Sequence, residues 1–249
     1  MEFYKSNAIL RIASVALFFL IWQTASLFIN IELLPSPAEV LSKVIEEAKT
    51  NELFFHTFIT LKRVFISFFI AMFIGTFFGI YMGRNKKLNI FLDDWLVLGL
   101  NVPALVIIIL CYVWFGLNEV AAILAVSLNK IPMVAVIMRE GARSIEKDYV
   151  EVAKFYKINK SKFFFKVIFP QLYPYLLSSA RSGLSLIWKI VLVVELLGRS
   201  NGVGFKLYGF FQFFDISGIL AYTLAFVFLI IIIEFIIVRP FEKKISVWR

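Results

Sequence analysis

Six long apolar runs constrain this chain more than any other feature. They lie at about 12–30, 64–83, 95–114, 120–138, 176–197 and 219–238, with polar connections between them. About 18 or more residues with few charges, wound as helix, reach across a hydrocarbon layer of roughly 30 Å. In lipid, every backbone N–H and C=O must be satisfied inside the segment, which leaves helices or closed barrels. Runs of this length predict helices, so the chain reads as an all-α integral membrane protein with about six transmembrane helices. It is 61% hydrophobic and 17% charged, whereas ordinary soluble domains are about 25% charged. The first run, IASVALFFLIWQTASLFI, is preceded by Lys5 and Arg11. It is longer than the core of a signal peptide and has no A-x-A site after it, so it reads as a retained first span.

Lysine and arginine then choose an orientation. With the N-terminus inside, segments 1–11, 84–94, 139–170 and 239–249 carry 17 of the 26 Lys and Arg residues, and the outer segments carry four. The positive-inside rule makes this a firm topology signal. It also accounts for most of the net charge of +9. Nothing else argues for nucleic acid as a partner. On the outer side, the two prolines of LLPSPAEV break the chain. Ser36 as cap and Pro37 in the first turn predict a short helix after them. His56, near the outer boundary, reads as an interfacial hydrogen-bonding residue, since one histidine makes no metal site. Cys111, the single cysteine, reads as a small buried apolar residue.

Several chemistries are excluded. The chain has no G-x-x-x-x-G-K-[ST] phosphate loop, no H-E-x-x-H, no G-x-S-x-G and no paired Cys/His ligands. The glycine cluster GRSNGVGF (198–205) lacks the Lys-Ser/Thr ending. Charges within the spans are scattered singly. The expectation is a chain that catalyses nothing and holds no cofactor or metal.

One inner segment stands apart. Over residues 145–158, a helical wheel puts Ile145, Tyr149, Val152 and Tyr156 on one face, with Ala153 at its edge. Val150, Phe155 and Ile158 break the separation. Asn159 is suited to end that helix, Ser161 to cap a second one and Pro170 to stop it. A basic helix lying on anionic lipid would show similar amphipathicity. Glu151, a small residue at Ala153 and Pro170 at fixed spacing fit a helix pair seated in a protein groove better.

Here the sequence resembles a known family. Glu151, Val152 and Ala153 stand at the E-A-A positions of the EAA loop of ABC importer permeases. Val167, Phe169 and Pro170 stand at its I-x-L-P positions, with the family's spacing. Lys157 replaces the loop's glycine. Either it adopts the left-handed conformation, at a cost on the order of 1 kcal/mol, or the turn shifts to Asn159. The resemblance extends over nearly the whole chain and is nearest to the nitrate/sulfonate/taurine branch. It includes LLPSPAEV, the approach from Thr60 to Arg63, the Gly75, Gly79 and Gly83 spacing, NVPALVIIILCYVWFG, ARSGLSLIWKIVLVVELLG and a terminal Trp248–Arg249.

This resemblance implies the type I, MetI-like permease fold as a single transmembrane domain over 1–249, with a cytoplasmic coupling segment at 139–175. It implies two ABC ATPase subunits, which use ATP and Mg, docked at Tyr149, Glu151, Val152, Ala153, Tyr156, Lys157 and Asn159. It further implies a second permease copy, as a homodimer, and a periplasmic or lipid-anchored solute-binding protein meeting Asn201, Gly202, Gly204 and Phe205. Membrane lipid surrounds the spans. The expected location is the bacterial inner membrane, multi-pass, with both termini cytoplasmic. The implied cargo is a small polar solute: a nitrate-, sulfonate- or taurine-like anion, or a metabolite such as a thiamine precursor.

Ionisable residues inside spans default to function. Asn129 and Lys130 before Pro132, Lys189, and Glu195 near the outer end of span five are the candidates for a solute pathway. The competing reading pairs the lysines within the bundle, for instance with Glu195 or Glu234. Lys62 and Arg63 are placed to snorkel outward, and Arg181 reads as structural. The rival function is an ATP-independent secondary transporter or channel, which should show two similar halves. No such internal repeat is visible.

Overall fold

The computed structural model describes residues 2–29 and 33–238. The terminal Trp248–Arg249 pair lies outside them. The chain begins with α1 (Glu2–Phe28), whose apolar part is Ala13–Phe28. It then turns into α2 (Pro37–Lys49). Here the expected cap is present as a full capping box. The Ser36 hydroxyl accepts from the Glu39 N–H at 3.3 Å, and the Glu39 carboxylate accepts from the Ser36 N–H at 2.8 Å.

Next come α3 (Glu52–Arg84), α4 (Lys86–Asn101), α5 (Ala104–Phe115) and α6 (Glu119–Arg143). The run at 95–114, expected as one span, is a bent pair. α4 and α5 meet at 98°. Val102 sits at φ −69°, ψ 123°, the extended conformation that a following proline imposes, and Pro103 has no N–H with which to continue the helix. α3, α6 and the helix Ile216–Ile236 are each long and apolar enough to cross a membrane, and the α4–α5 pair makes a fourth such span if counted as one.

α3 and α6 form the most extensive helix pair. Gly75, Gly79 and Gly83 make it possible. A Cβ at Gly75 would meet Val134 Cβ at 2.6 Å, one at Gly79 would sit 2.5 Å from the Ala135 carbonyl oxygen, and one at Gly83 would meet Ala142 Cβ at 2.6 Å. This is the close approach that small-residue spacing permits. α9 (Phe169–Gly198) packs on both helices. The central core brings together Val64 of α3, Ile108 of α5, Ala122 and Val126 of α6, and Ile187 and Val191 of α9.

α7 (Lys147–Phe155) and α8 (Lys160–Phe163) lie at one end of this bundle. The second short helix does not stop at Pro170, as expected. α8 runs into a π-helical turn, Phe164–Ile168, and directly on into α9. Proline lacks a donor and crowds the carbonyl four residues back. The wider π turn accommodates that crowding. At the other end, α10 (Val203–Gln212) leads to α11 (Ile216–Ile233), which passes into a π turn at Glu234–Val238.

Candidate functional site

At the α7 end, two apolar faces share one short helix. Ala153 is buried, and Ile145 and Val150 pack on the core around Met138 and Ile168. Tyr149, Val152, Phe155 and Tyr156 are exposed, Phe155 by 80%. Two assignments of the helical wheel therefore change. Ile145 joins the bundle, because the chain leaves α6 at that point. Phe155, an irregularity in the wheel, belongs to the open face. Glu151 is exposed beside it. Gln171, not singled out in the sequence, ties this helix to α9: its side-chain oxygen accepts from the Glu146 N–H at 2.9 Å.

The turn after α7 resolves the glycine question. Lys157 has φ +50°. Ile158 N–H donates to the Ala153 carbonyl at 3.1 Å, and Lys157 N–H to Lys154 at 3.0 Å. This is a Schellman closure with lysine where glycine is the usual residue. Asn159, rather than Ser161, caps α8: its side chain accepts from the Ser161 N–H at 3.3 Å. Asn159 has φ −56°, so the left-handed residue is Lys157.

At the α2 end, a buried polar cluster centres on Arg63, which is 2% exposed and does not snorkel. Its Nε donates to Glu119 at 2.8 Å, and one terminal nitrogen donates to Glu195 at 2.7 Å and to the Asn201 carbonyl at 2.8 Å. The other donates to Glu119 at 2.9 Å and to the Asn201 side-chain oxygen. Glu195 is fully enclosed. It also accepts from Thr60 and from the Gly204 N–H, both at 2.9 Å. A buried charge persists when it is paired and its remaining sites are hydrogen-bonded, and this cluster meets that condition. Glu195 thus offers no surface to a passing solute in this conformation.

The same cluster pulls in the turn assigned to outer contact. Asn201 and Phe205 are half-buried, and Gly202 and Gly204 are buried. The Gly202 N–H donates to His56 Nδ1 at 2.9 Å, and His56 Nε2 lies 3.1 Å from Glu52. The imidazole therefore carries its proton on Nε2. Gly202 has φ +108°, and a Cβ there would strike the Glu195 carboxylate. The glycines serve close packing over a carboxylate, so the exposed residues of this region lie farther along, at Phe211, Phe213 and Phe214.

The mid-span candidates separate. Lys130 is 7% exposed and, among the described residues, has no ion-pair partner. Asn129 beside it is half-buried, while Lys189 is exposed on α9. The pairings considered for the lysines are taken by others, since Glu195 binds Arg63 and Glu234 lies 3.9 Å from Arg181. A cavity of about 290 Å³ opens at that last pair, between α9 and the π turn after α11. Its lining is Arg181, Ser182, Leu184, Ser185, Trp188 and Glu234. The described residues contain no cluster of three or more His, Cys, Asp or Glu suited to a metal.

Residues 71–247 match the family described as binding-protein-dependent transport system inner membrane component. The chain is 29% identical over 221 residues to SsuC of Bacillus subtilis (strain 168), which carries the name of an aliphatic sulfonates transport permease. That match covers 89% of this chain and 80% of SsuC. It is 26% identical over 247 residues to the taurine transport system permease protein TauC of Escherichia coli (strain K12), covering 96% and 90% of the two. Among solved structures, a chain of the MetNI methionine ABC transporter in an inward-facing conformation superposes with a TM-score of 0.67 at 17% identity. The match covers 81% of this chain and 98% of that one, and the fold is the type I, MetI-like permease fold.

Proposed function

We propose a function for this chain from the family to which it belongs, the binding-protein-dependent transport system inner membrane components. It is a multi-pass membrane permease of the nitrate/sulfonate/taurine branch of ABC importers. In our reading it works in pairs, as a homodimer, with two ATPase subunits seated on α7 and a solute-binding protein delivering cargo at the α2 end. The α7 end faces the cytoplasm of a bacterial cell and the α2 end faces outward, consistent with the lysine and arginine distribution. The cargo is a small polar solute carrying an acidic group, of the sulfonate and taurine kind named for the relatives.

The observation that carries this reading is the open face of α7. Tyr149, Val152, Phe155 and Tyr156 are exposed on a helix whose opposite side, through Ala153, is anchored in the bundle. Such a patch at the end of a helical bundle marks an interaction site, and a short amphipathic helix fits a groove in a partner. Beyond it, the helical run from Lys160 through the π turn to Gly198 is uninterrupted. A displacement of α7 by closing ATPases would therefore reach Arg181 and Lys189 through a stiff rod. ATP hydrolysis belongs to the partner, with its own phosphate loop and Mg.

The test is native purification of the full chain in mild detergent, beside the variants Val152→Asp and Tyr156→Asp. An ATPase with a phosphate-loop motif should co-purify with the unaltered chain and be lost from both variants, whose substitutions lie on the open face. A well-folded chain that brings down no ATPase in several detergents would overturn the reading in favour of an ATP-independent transporter.

A further inference from the structure

Beyond α7, a second surface at the same end combines charge with aromatic area. No Asp or Glu occurs between Glu151 and Glu195, and the first part of that stretch carries Lys154, Lys157, Lys160, Lys162 and Lys166. All five are exposed, and among the described residues none has an ion-pair partner. Along α8, the π turn and the start of α9, the inward side is fixed by Phe163, Ile168 and Leu172, which pack around Met138. Phe163 and Ile168 are five residues apart, the spacing that a π turn brings to one side. The outward side presents Phe165, 64% exposed, and Phe169, 38% exposed. Their ring centroids lie 6.5 Å apart, and Tyr173 continues the row 5.7 Å beyond Phe169. Lys166 adjoins this row in sequence, and Lys162 lies about one turn before it.

We propose that this face seats the chain on anionic phospholipid of the inner leaflet, with Lys160, Lys162 and Lys166 at the phosphates and the row of rings at the edge of the hydrocarbon. The order of groups along the helix matches a section through a leaflet. The lysines come first, the rings of Phe169 and Tyr173 follow, and the apolar run expected to span from about 176 begins directly after them. Cations gathered just inside a span attract anionic headgroups, and aromatic side chains on a basic amphipathic helix settle at the boundary of headgroup and acyl chain. Lysines with no carboxylate among them call for a counter-charge, and lipid phosphate supplies one at that depth. A protein partner would account for the lysines, but not for a row of rings that leads on into the bilayer. The surface is also separate from the open face of α7, which precedes the turn at Lys157. The segment is therefore divided, α7 for protein and α8 with the π turn for membrane. The inference rests on the orientation proposed above only for the side of the membrane that it names.

The full chain, purified in mild detergent, is titrated with short-chain phosphatidylglycerol and, separately, with phosphatidylcholine of the same acyl length, and native mass spectrometry counts the lipids retained. Phosphatidylglycerol should bind about tenfold or more tightly, and the difference should shrink as salt is raised, because the attraction is screened. Combining Lys160→Gln, Lys162→Gln and Lys166→Gln should erase the preference, whereas Lys160→Arg, Lys162→Arg and Lys166→Arg together should keep it. Equal binding of the two lipids to the unaltered chain would overturn the proposal, and that comparison needs no variant to fold. So would a preference that survives the three glutamine substitutions, which would place the lipid elsewhere on the chain. Inorganic phosphate at matched concentration should leave phosphatidylglycerol bound; displacement by it would assign the lysines to a free anion instead. ATPase capture is read on the same preparations. The three glutamine substitutions should leave it intact, and loss of capture with the lipid preference unchanged would assign the face to protein. A chain that prefers phosphatidylglycerol yet captures no ATPase keeps the lipid site and loses the permease reading.

Discussion

Lys157 shows how one residue can depart from a pattern without changing the structure it belongs to. Its φ of +50° puts a Cβ where glycine has none, and left-handed backbone costs a non-glycine residue roughly 1–2 kcal/mol. The turn is kept by the two hydrogen bonds to Ala153 and Lys154. Replacing Lys157 with Gly is therefore expected to stabilise the purified chain by about 1 kcal/mol, read as a raised unfolding midpoint in detergent. Unchanged or lowered stability would show that the lysine side chain offsets the strain. Arg63 teaches the opposite lesson. Its residue type and its place on an apolar helix mark it out, but its partners Glu119, Glu195 and Asn201 lie 56, 132 and 138 positions away. No periodicity connects residues so far apart, and the same letters were compatible with a side chain reaching outward to water.

At the level of elements, spacing announces a close contact and packing names the partner. Gly75, Gly79 and Gly83 mark one face of α3, but only the folded bundle sets that face against Val134, Ala135 and Ala142 of α6. Gly79→Ala should destabilise by about 1–3 kcal/mol, because the obstacle is a backbone carbonyl that cannot turn away. Gly209→Ala is the matched control. A Cβ there meets nothing within 4 Å, so the helix propensity of alanine should leave stability unchanged or raise it by up to about 1 kcal/mol. Thermal unfolding of the two variants side by side checks the contrast, and equal effects would contradict the packing. The prolines divide in the same way. Pro103 turns α4 and α5 through 98°, whereas Pro170 follows a π turn inside a helical run that continues. Each proline removes one donor, and the surrounding backbone decides whether the helix breaks or widens.

For the whole molecule, orientation is the property most open to a direct check. Cys111 is buried, which keeps background labelling low. Thr50→Cys lies at the α2 end and Lys87→Cys at the opposite end, both at exposed positions. A membrane-impermeant maleimide applied to intact cells should label the first and reach the second only after the membrane is opened. The reverse pattern would invert the assignment. The two ends differ in construction as well as in charge. The α2 end is closed by the Arg63 cluster, by Tyr222 donating to Glu47 at 2.8 Å, and by Lys206 between Glu47 and Glu52. The α7 end carries an aromatic face that no other described residue covers. That asymmetry suits a molecule held firm on one side and engaged by a partner on the other.

The sequence by itself determined what depends on neighbours along the chain. The apolar runs dictated a helical membrane protein, Ser36 and Pro37 the start of α2, and the spacing from Glu151 to Pro170 pointed to the family, while the lysines and arginines supply the orientation proposed above. Each is written within a few helical turns, where period, capping and charge act locally. The tertiary structure alone decided that Glu195 is spent on Arg63, that Gly202 and Gly204 face inward, that Ile145 and Phe155 exchange faces, and that Arg181 meets Glu234 across a cavity. Those outcomes depend on how helices distant in sequence pack against one another. Packing follows from the fit of whole surfaces, and no short window of sequence contains it.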